Sequence, residues 1–181
     1  YAHFRLASSA GNQDCIGTTD IFDQKWHHIC GTLDADGYTM KLYVDGKLEA
    51  QTTMAAQWGQ TYTSLNLTIG SYEGNTNPAY FAAGTFGRLS IWKSTALTES
   101  LIRQLMFYDY DDMDDDSDFD TVKGSNLKGF WDFRDGTGVT VDDEHSSNHD
   151  LTISGAAWAG AGTLTWTGGA TPSAGTLDMT G

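Results

Sequence analysis

The clearest pattern along the chain is alternation. Between Trp26 and Asp34, the side chains of Trp26, His28, Cys30 and Thr32 fall on one side of an extended chain and those of His27, Ile29 and Gly31 on the other. That period of two is the mark of a strand lying between two environments. Met40-Lys41-Leu42-Tyr43-Val44 alternates in the same way, and Tyr1 to Leu6 does so from the first residue. Asp36-Gly37 and Asp45-Gly46 supply the turn chemistry that reverses such strands. Residues 1–92 therefore read as strands separated by loops of Gly, Asn, Asp and Thr. Only 98–107 has helical spacing. Thr98 is placed to cap its N-terminus, with Leu101, Ile102 and Leu105 on one face, so a short helix over a sheet edge is expected.

The wording of these strands is as informative as their period. Trp26-His27-His28-Ile29-Cys30-Gly31-Thr32-Leu33-Asp34, closed by Lys41-Leu42-Tyr43-Val44-Asp45-Gly46, resembles the W-H-H strand and K-L-Y-V-D-G hairpin of the laminin-G-like, concanavalin A-like jelly roll family. Leu67-Thr68-Ile69-Gly70 is similar to the family's L-x-I-G strand. Phe81 to Trp92 is similar to its F-x-G-x-I-D-E strand, and Leu97 to Leu105 to the helix that follows. Four motifs in the family's order imply an all-β, antiparallel jelly-roll β-sandwich with one short helix.

After the acidic run Asp109–Asp120, Gly129-Phe130-Trp131-Asp132-Phe133-Arg134-Asp135-Gly136 resembles the family's opening strand, which normally precedes the W-H-H motif. Two explanations fit this order. The one adopted is a second module, giving residues 1–107 as a jelly roll lacking its first strands, 108–127 as an acidic linker, and 128–181 as a further β-rich module. The other has the late strands filling the place of the missing early ones. Gly162-Thr163-Leu164 and Gly175-Thr176-Leu177 begin two copies of G-T-L-x-x-T-G, a spacing that fits stacked β-rungs or two coincidental strands. The abrupt start reads as a piece of a longer polypeptide.

Composition narrows the partners. With 39% hydrophobic and 12% aromatic residues, the 181-residue chain can bury a core. It has no apolar run of membrane-spanning length. Ten Lys plus Arg against 24 Asp plus Glu give a net charge of −14, which opposes binding to phosphate backbones, so neither nucleic acid nor membrane insertion is expected. Cys15 and Cys30 are equally compatible with a disulfide and with two buried thiols.

Catalysis has little support. Glycoside hydrolysis needs two carboxylates flanking the scissile bond, and Glu49, Glu73, Glu99 and Glu144 lack the E-x-D-x-x-E spacing of glucanases with this fold. Adjacent His27 and His28 point to opposite faces of a strand and cannot converge on one ion; one is expected to pack inward and the other to sit outside. Calcium is a candidate ligand, since it takes oxygens from rim loops. The resemblance puts its site at Asp143, Asn148 and Asp150, while Gly87 stands where the family has a second Asp. The acidic run, eight Asp in twelve residues, reads as a solvated loop anchored by Tyr108, Tyr110 and Phe119.

Glycan recognition needs an aromatic ring for the C–H face of a sugar, beside amides and carboxylates for its hydroxyls. Tyr72, Glu73, Asn75, Asn77 and Tyr80, with Trp58 before them, supply that set. The expectation is a non-catalytic recognition module of a larger extracellular or virion-surface protein, binding a glycan or host-surface receptor and requiring no cofactor. The alternative is an architectural fibre or decoration protein that assembles with its own copies or with other surface proteins. A glycoside hydrolase is the remote third reading.

Overall fold

The computed structural model describes residues 1–8, 11–34, 36–55, 65–67, 71–74, 77–81, 84–145, 149–153, 156–160, 163–166 and 175–177. The chain is mostly β, with antiparallel pairing in every sheet, as the alternation predicts. It divides into two compact units. The first comprises residues 1–61 and 93–126, the second 62–92 and 127–181.

In the first unit β1 (His3–Ser8) and β2 (Gly11–Ile16) make a hairpin, and β3 (Ile29–Leu33), β4 (Thr39–Val44) and β5 (Lys47–Thr53) make a three-stranded sheet in the order β3-β4-β5. Phe4 lies opposite Cys15, and Arg5 opposite Asp14. The hairpin thus has one apolar face and one on which His3 and Arg5 both bond the Asp14 carboxylate. On β4 the pleat sends Met40, Leu42 and Val44 inward, at most 2% exposed, to meet Ala2, Cys15 and Met54. Each such side chain contributes about 1.5–3 kcal/mol through removal from water. Gly31 permits the approach of the two layers, since a Cβ there would lie 2.7 Å from the ring of Phe4. Asp45 and Gly46, at φ 50° and 70°, form the left-handed turn that their dipeptide predicts.

Two helices complete this unit. In α1 (Glu99–Leu105), Thr98 accepts a hydrogen bond from the Leu101 amide and Leu101, Ile102 and Leu105 are buried, as the spacing predicts. The acidic segment differs from the expected linker. It contains a second helix, α2 (Ser117–Asn126), and folds because Met113 and Phe119 are fully buried and Lys123 is only 7% exposed. The Lys123 ammonium pairs with Asp114 and lies 3.6 Å over the Tyr110 ring; the Tyr108 hydroxyl donates to Asp116 at 2.9 Å. A few apolar anchors and one lysine offset the repulsion of the carboxylates. The resulting segment belongs to the first unit.

The second unit combines strands from both sides of that segment. β6 (Leu65–Leu67), β7 (Ser71–Gly74), β8 (Asn77–Phe81), β9 (Gly84–Phe86) and β10 (Leu89–Trp92) are joined by β11 (Leu127–Trp131), β12 (Thr140–Val141), β13 (Leu151–Thr152), β14 (Ala156–Gly160), β15 (Thr163–Trp166) and β16 (Gly175–Leu177). β10 pairs with β11, β9 with β15, and β6 with β16. The two-module expectation put these partners in separate modules; here they are hydrogen-bonded neighbours within one unit. β11 cannot stand alone, because Leu127, Phe130 and Trp131 are all buried. Trp131, Phe133, Val141 and Leu151 form the core, flanked by Leu89, Ile91 and Trp158. The two G-T-L copies pair with different strands, β15 with β9 and β14 and β16 with β6, so among the described residues they do not stack on each other.

Candidate functional site

The strand expected to start at Trp26 starts at Ile29, and residues 17–28 form a loop between β2 and β3. Local hydrogen bonding competes with extension here: the Asp20 carboxylate accepts from the Phe22 amide and the Asp23 carboxylate from the Lys25 amide, both at 3.0 Å. Gln24, at φ 67°, completes the reversal. Trp26 consequently leaves the alternation of the strand and is 64% exposed; Phe22 is 74% exposed. Ile21, between them in sequence and Asp20, packs against the core instead.

The loop is pinned at both ends. At its start the Glu49 carboxylate on β5 accepts from the amides of Thr18 and Thr19, at 2.8 and 3.2 Å, and from the Thr19 hydroxyl. At its end Asp45, in the β4–β5 turn, accepts from the His28 amide at 2.9 Å. Between these the His27 ring lies between two carboxylates, Nε2 2.9 Å from Asp23 and Nδ1 2.9 Å from Asp45, and its side chain is 11% exposed. Only the imidazolium donates from both nitrogens. The Asp23 hydrogen bond first, then that of Asp45, raises the His27 pKa, while Lys25 and His27 hold the Asp23 carboxyl far below its ordinary range.

His28 is half-buried, its Nδ1 has no hydrogen-bond partner among the described residues, and burial lowers its pKa. Neither histidine sits outside, contrary to expectation, because the loop and the turn cover both. Together these contacts hold two exposed rings beside a carboxylate, an amide and an ammonium, those of Asp23, Gln24 and Lys25. Little loop ordering would be needed to bind a ligand.

The other face of the β3-β4-β5 sheet carries a groove of about 380 Å³. Its floor includes Thr32, Lys41 and Tyr43, and one wall is formed by residues 96–98 and by Glu99 at the start of α1. Leu48 lines it while its neighbour Glu49 holds the loop, as the opposite faces of one strand require. Cys30, in register with Tyr43, faces this side, whereas Cys15 lies in the core on the other. The two thiols are therefore free. Burial pushes the Cys30 pKa up to about 11, which keeps it protonated and unreactive.

The sequence-derived glycan set lies in the second unit. Tyr72, Glu73, Asn77 and Tyr80 are placed by their backbone on the β7–β8 hairpin, with Tyr72 opposite Ala79 and Glu73 opposite Pro78. Trp58 and Asn75 lie outside the described residues. Of the calcium set, Asn148 also lies outside them. The Asp143 side chain is fully enclosed and its oxygens accept from the amides of Phe130, His145 and His149 at 2.9–3.1 Å, while Asp150 accepts from the Asp143 amide at 3.0 Å. These bonds tie Asp143, His145, His149 and Asp150 to β11 and to one another. Among the described residues no three His, Cys, Asp or Glu side chains converge as a metal site. Sequence reasoning missed Phe22 and Trp26. The paired Asp-x-Phe and Asp-x-Lys spacings at 20–25 were the available sign of a turn-rich loop.

No match was found among curated proteins or among solved structures. Residues 2–103, more than half of the chain, match a laminin-G-type family model described as the concanavalin A-like lectin/glucanases superfamily. Laminin-G-like domains are typically extracellular, and among the described residues no helix is long and apolar enough to cross a membrane. The β1–β2 hairpin, the β3-β4-β5 sheet, the Asp-Gly turn and the capped start of α1 fall within the matched residues, and the chain belongs to the concanavalin A-like lectin/glucanases superfamily.

Proposed function

We propose that the chain is a non-catalytic carbohydrate-recognition module of a larger extracellular or virion-surface protein, and that the 17–28 loop is its sugar platform. The observation that carries this reading is the combination of exposure and constraint: Phe22 and Trp26 are 74% and 64% exposed on a loop tied at Glu49, Asp45 and His27. Large rings held in water by a fixed backbone suit stacking on the C–H face of a sugar, with the exposed Gln24 amide of the same loop available to its hydroxyls. The four glutamates lack the spacing of a hydrolytic pair, which favours binding over turnover.

A glycan array tests this directly. The wild-type chain is expected to bind at least one glycan class, with Trp26→Ala lowering affinity about tenfold, the equivalent of about 1.4 kcal/mol of ring stacking. Binding that survives Phe22→Ala and Trp26→Ala but is lost with Tyr72→Ala and Tyr80→Ala would move the platform to the β7–β8 hairpin. Absence of any binder, together with concentration-dependent self-association, would favour the architectural reading.

A further inference from the structure

We propose that the groove on the outer face of the β3-β4-β5 sheet is a second saccharide site, selective for sugars that carry an anionic group, with Lys41 as the ion-pairing residue. This rests on the carbohydrate-recognition reading but uses different residues from the loop. Lys41 occupies the middle strand, opposite Thr32 on β3 and Gln51 on β5. It is half-buried on the groove floor, and its ammonium makes no hydrogen bond or ion pair with any described residue. The two lysines of this unit that sit beside carboxylates are paired, Lys25 with Asp23 and Lys123 with Asp114. With its stem partly covered and no carboxylate beside its head, Lys41 gives the groove a cation available to a ligand's charge.

Two carboxylates also line the groove, and both are engaged. Asp34 accepts from the amides of Tyr38 and Thr39, at 2.8 and 3.0 Å, and these bonds hold its carboxyl below the ordinary range. Glu99 pairs with Arg103, which also donates to the Gly46 carbonyl at 3.0 Å. Lys41 is therefore the one charged side chain of the groove lining without a hydrogen-bond or ion-pair partner among the described residues. An incoming anion meets an available ammonium, while the Asp34 carboxylate is held by backbone amides and Glu99 by Arg103.

The remaining lining fits a sugar. Leu48, 45% exposed, and Leu97 offer an apolar wall for ring C–H groups, and the hydroxyls of Thr32 and Thr98 can donate to oxygens. A volume of about 380 Å³ lies at the small end of ligand sites, which argues for one terminal residue rather than a long chain segment. A uronic carboxylate and a sulfate ester present the same chemistry to Lys41.

Isothermal titration of the full chain with glucuronate, glucose 6-sulfate and glucose tests the site, with Lys41 and Thr32 resonances followed by NMR. At least one charged sugar is expected to bind tenfold or more tightly than glucose and to shift those resonances, and the stronger of the two identifies carboxylate or sulfate as the preferred group. Lys41→Met, which keeps the aliphatic stem, should bring charged and neutral sugars within twofold of each other; Lys41→Arg should restore the preference. Raising the salt concentration should weaken only the charged sugars. An unchanged charged-to-neutral ratio in Lys41→Met, or shifts confined to other parts of the chain, overturns the proposal. Array binding lost in Trp26→Ala but indifferent to Lys41→Met defeats the groove and leaves the loop reading intact. Groove binding by glucuronate in a chain whose array signal ignores Trp26 does the reverse.

Discussion

The 17–28 loop and the residues around Asp143 are both tied down by carboxylates that accept backbone amides, yet they dispose of their aromatic neighbours in opposite ways. In the second unit the Asp143 carboxylate, fully enclosed, gathers three amides, and the Trp131 indole donates to the His149 carbonyl at 2.9 Å from within the core. In the first unit Glu49, Asp45 and Asp23 gather a similar set of donors, but Trp26 and Phe22 face water. The same hydrogen-bonding device stabilises a core in one place and holds a surface in the other. What separates them is whether a strand lies beneath the aromatic ring: Trp131 is itself part of a buried strand, whereas Trp26 has left its strand.

The largest expected effect falls on the buried side of this comparison. Trp131→Ala removes a fully enclosed ring and should destabilise the protein by about 4 kcal/mol in denaturant unfolding. Asp143→Ala should follow at about 3 kcal/mol, because three amides lose a charged acceptor in a site closed to water. If Asp143→Ala unfolds no more readily than wild type, the loop it organises is not part of the stable structure. By contrast, Trp26→Ala should change stability by no more than about 0.5 kcal/mol while weakening glycan binding. A large loss of stability on that substitution would mean the ring is packed, and the contrast between the two loops would fail.

The smallest effect is the dependence on pH. The His27 pKa is raised in the folded protein, so its contribution is fully present below the unfolded value of about 6.5 and is lost as pH rises through the folded value. Asp23 and Asp45, whose pKa values are lowered, contribute above about 3.9 and lose their contribution in acid. His28 works against His27, since its lowered pKa gives stability that is lost as pH falls below about 6.5. The difference in melting temperature between wild type and His27→Gln therefore isolates the clamp: it should shrink between pH 6 and pH 9. A difference independent of pH over that range would show that the ring is neutral in the folded state.

Much of the fold was legible because its determinants are local. The alternation of β4, the left-handed Asp45-Gly46 turn and the Thr98 cap each follow from a few adjacent side chains, and each stands in the structure where the sequence pattern puts it. The site was less legible for a physical reason. Alternation from Trp26 to Ile29 is equally compatible with a strand and with a loop, and the choice is made by the Asp23 turn before it and by the distant Asp45, which takes the His28 amide that a strand would have used. Lys41 was visible as a strand residue, but its lack of a partner depends on where Glu99 and Asp34 turn.

The sequence by itself determined the β class, the family, the first sheet and the capped helix, since period, turn residues and caps act over a few positions. Only the tertiary structure decided that β10 pairs with β11 across the acidic segment, that this segment is a folded part of the first unit, and that Phe22 and Trp26 stand in water. Each of those outcomes depends on which distant backbone satisfies an amide or covers a ring, and that competition is settled when the sheets pack.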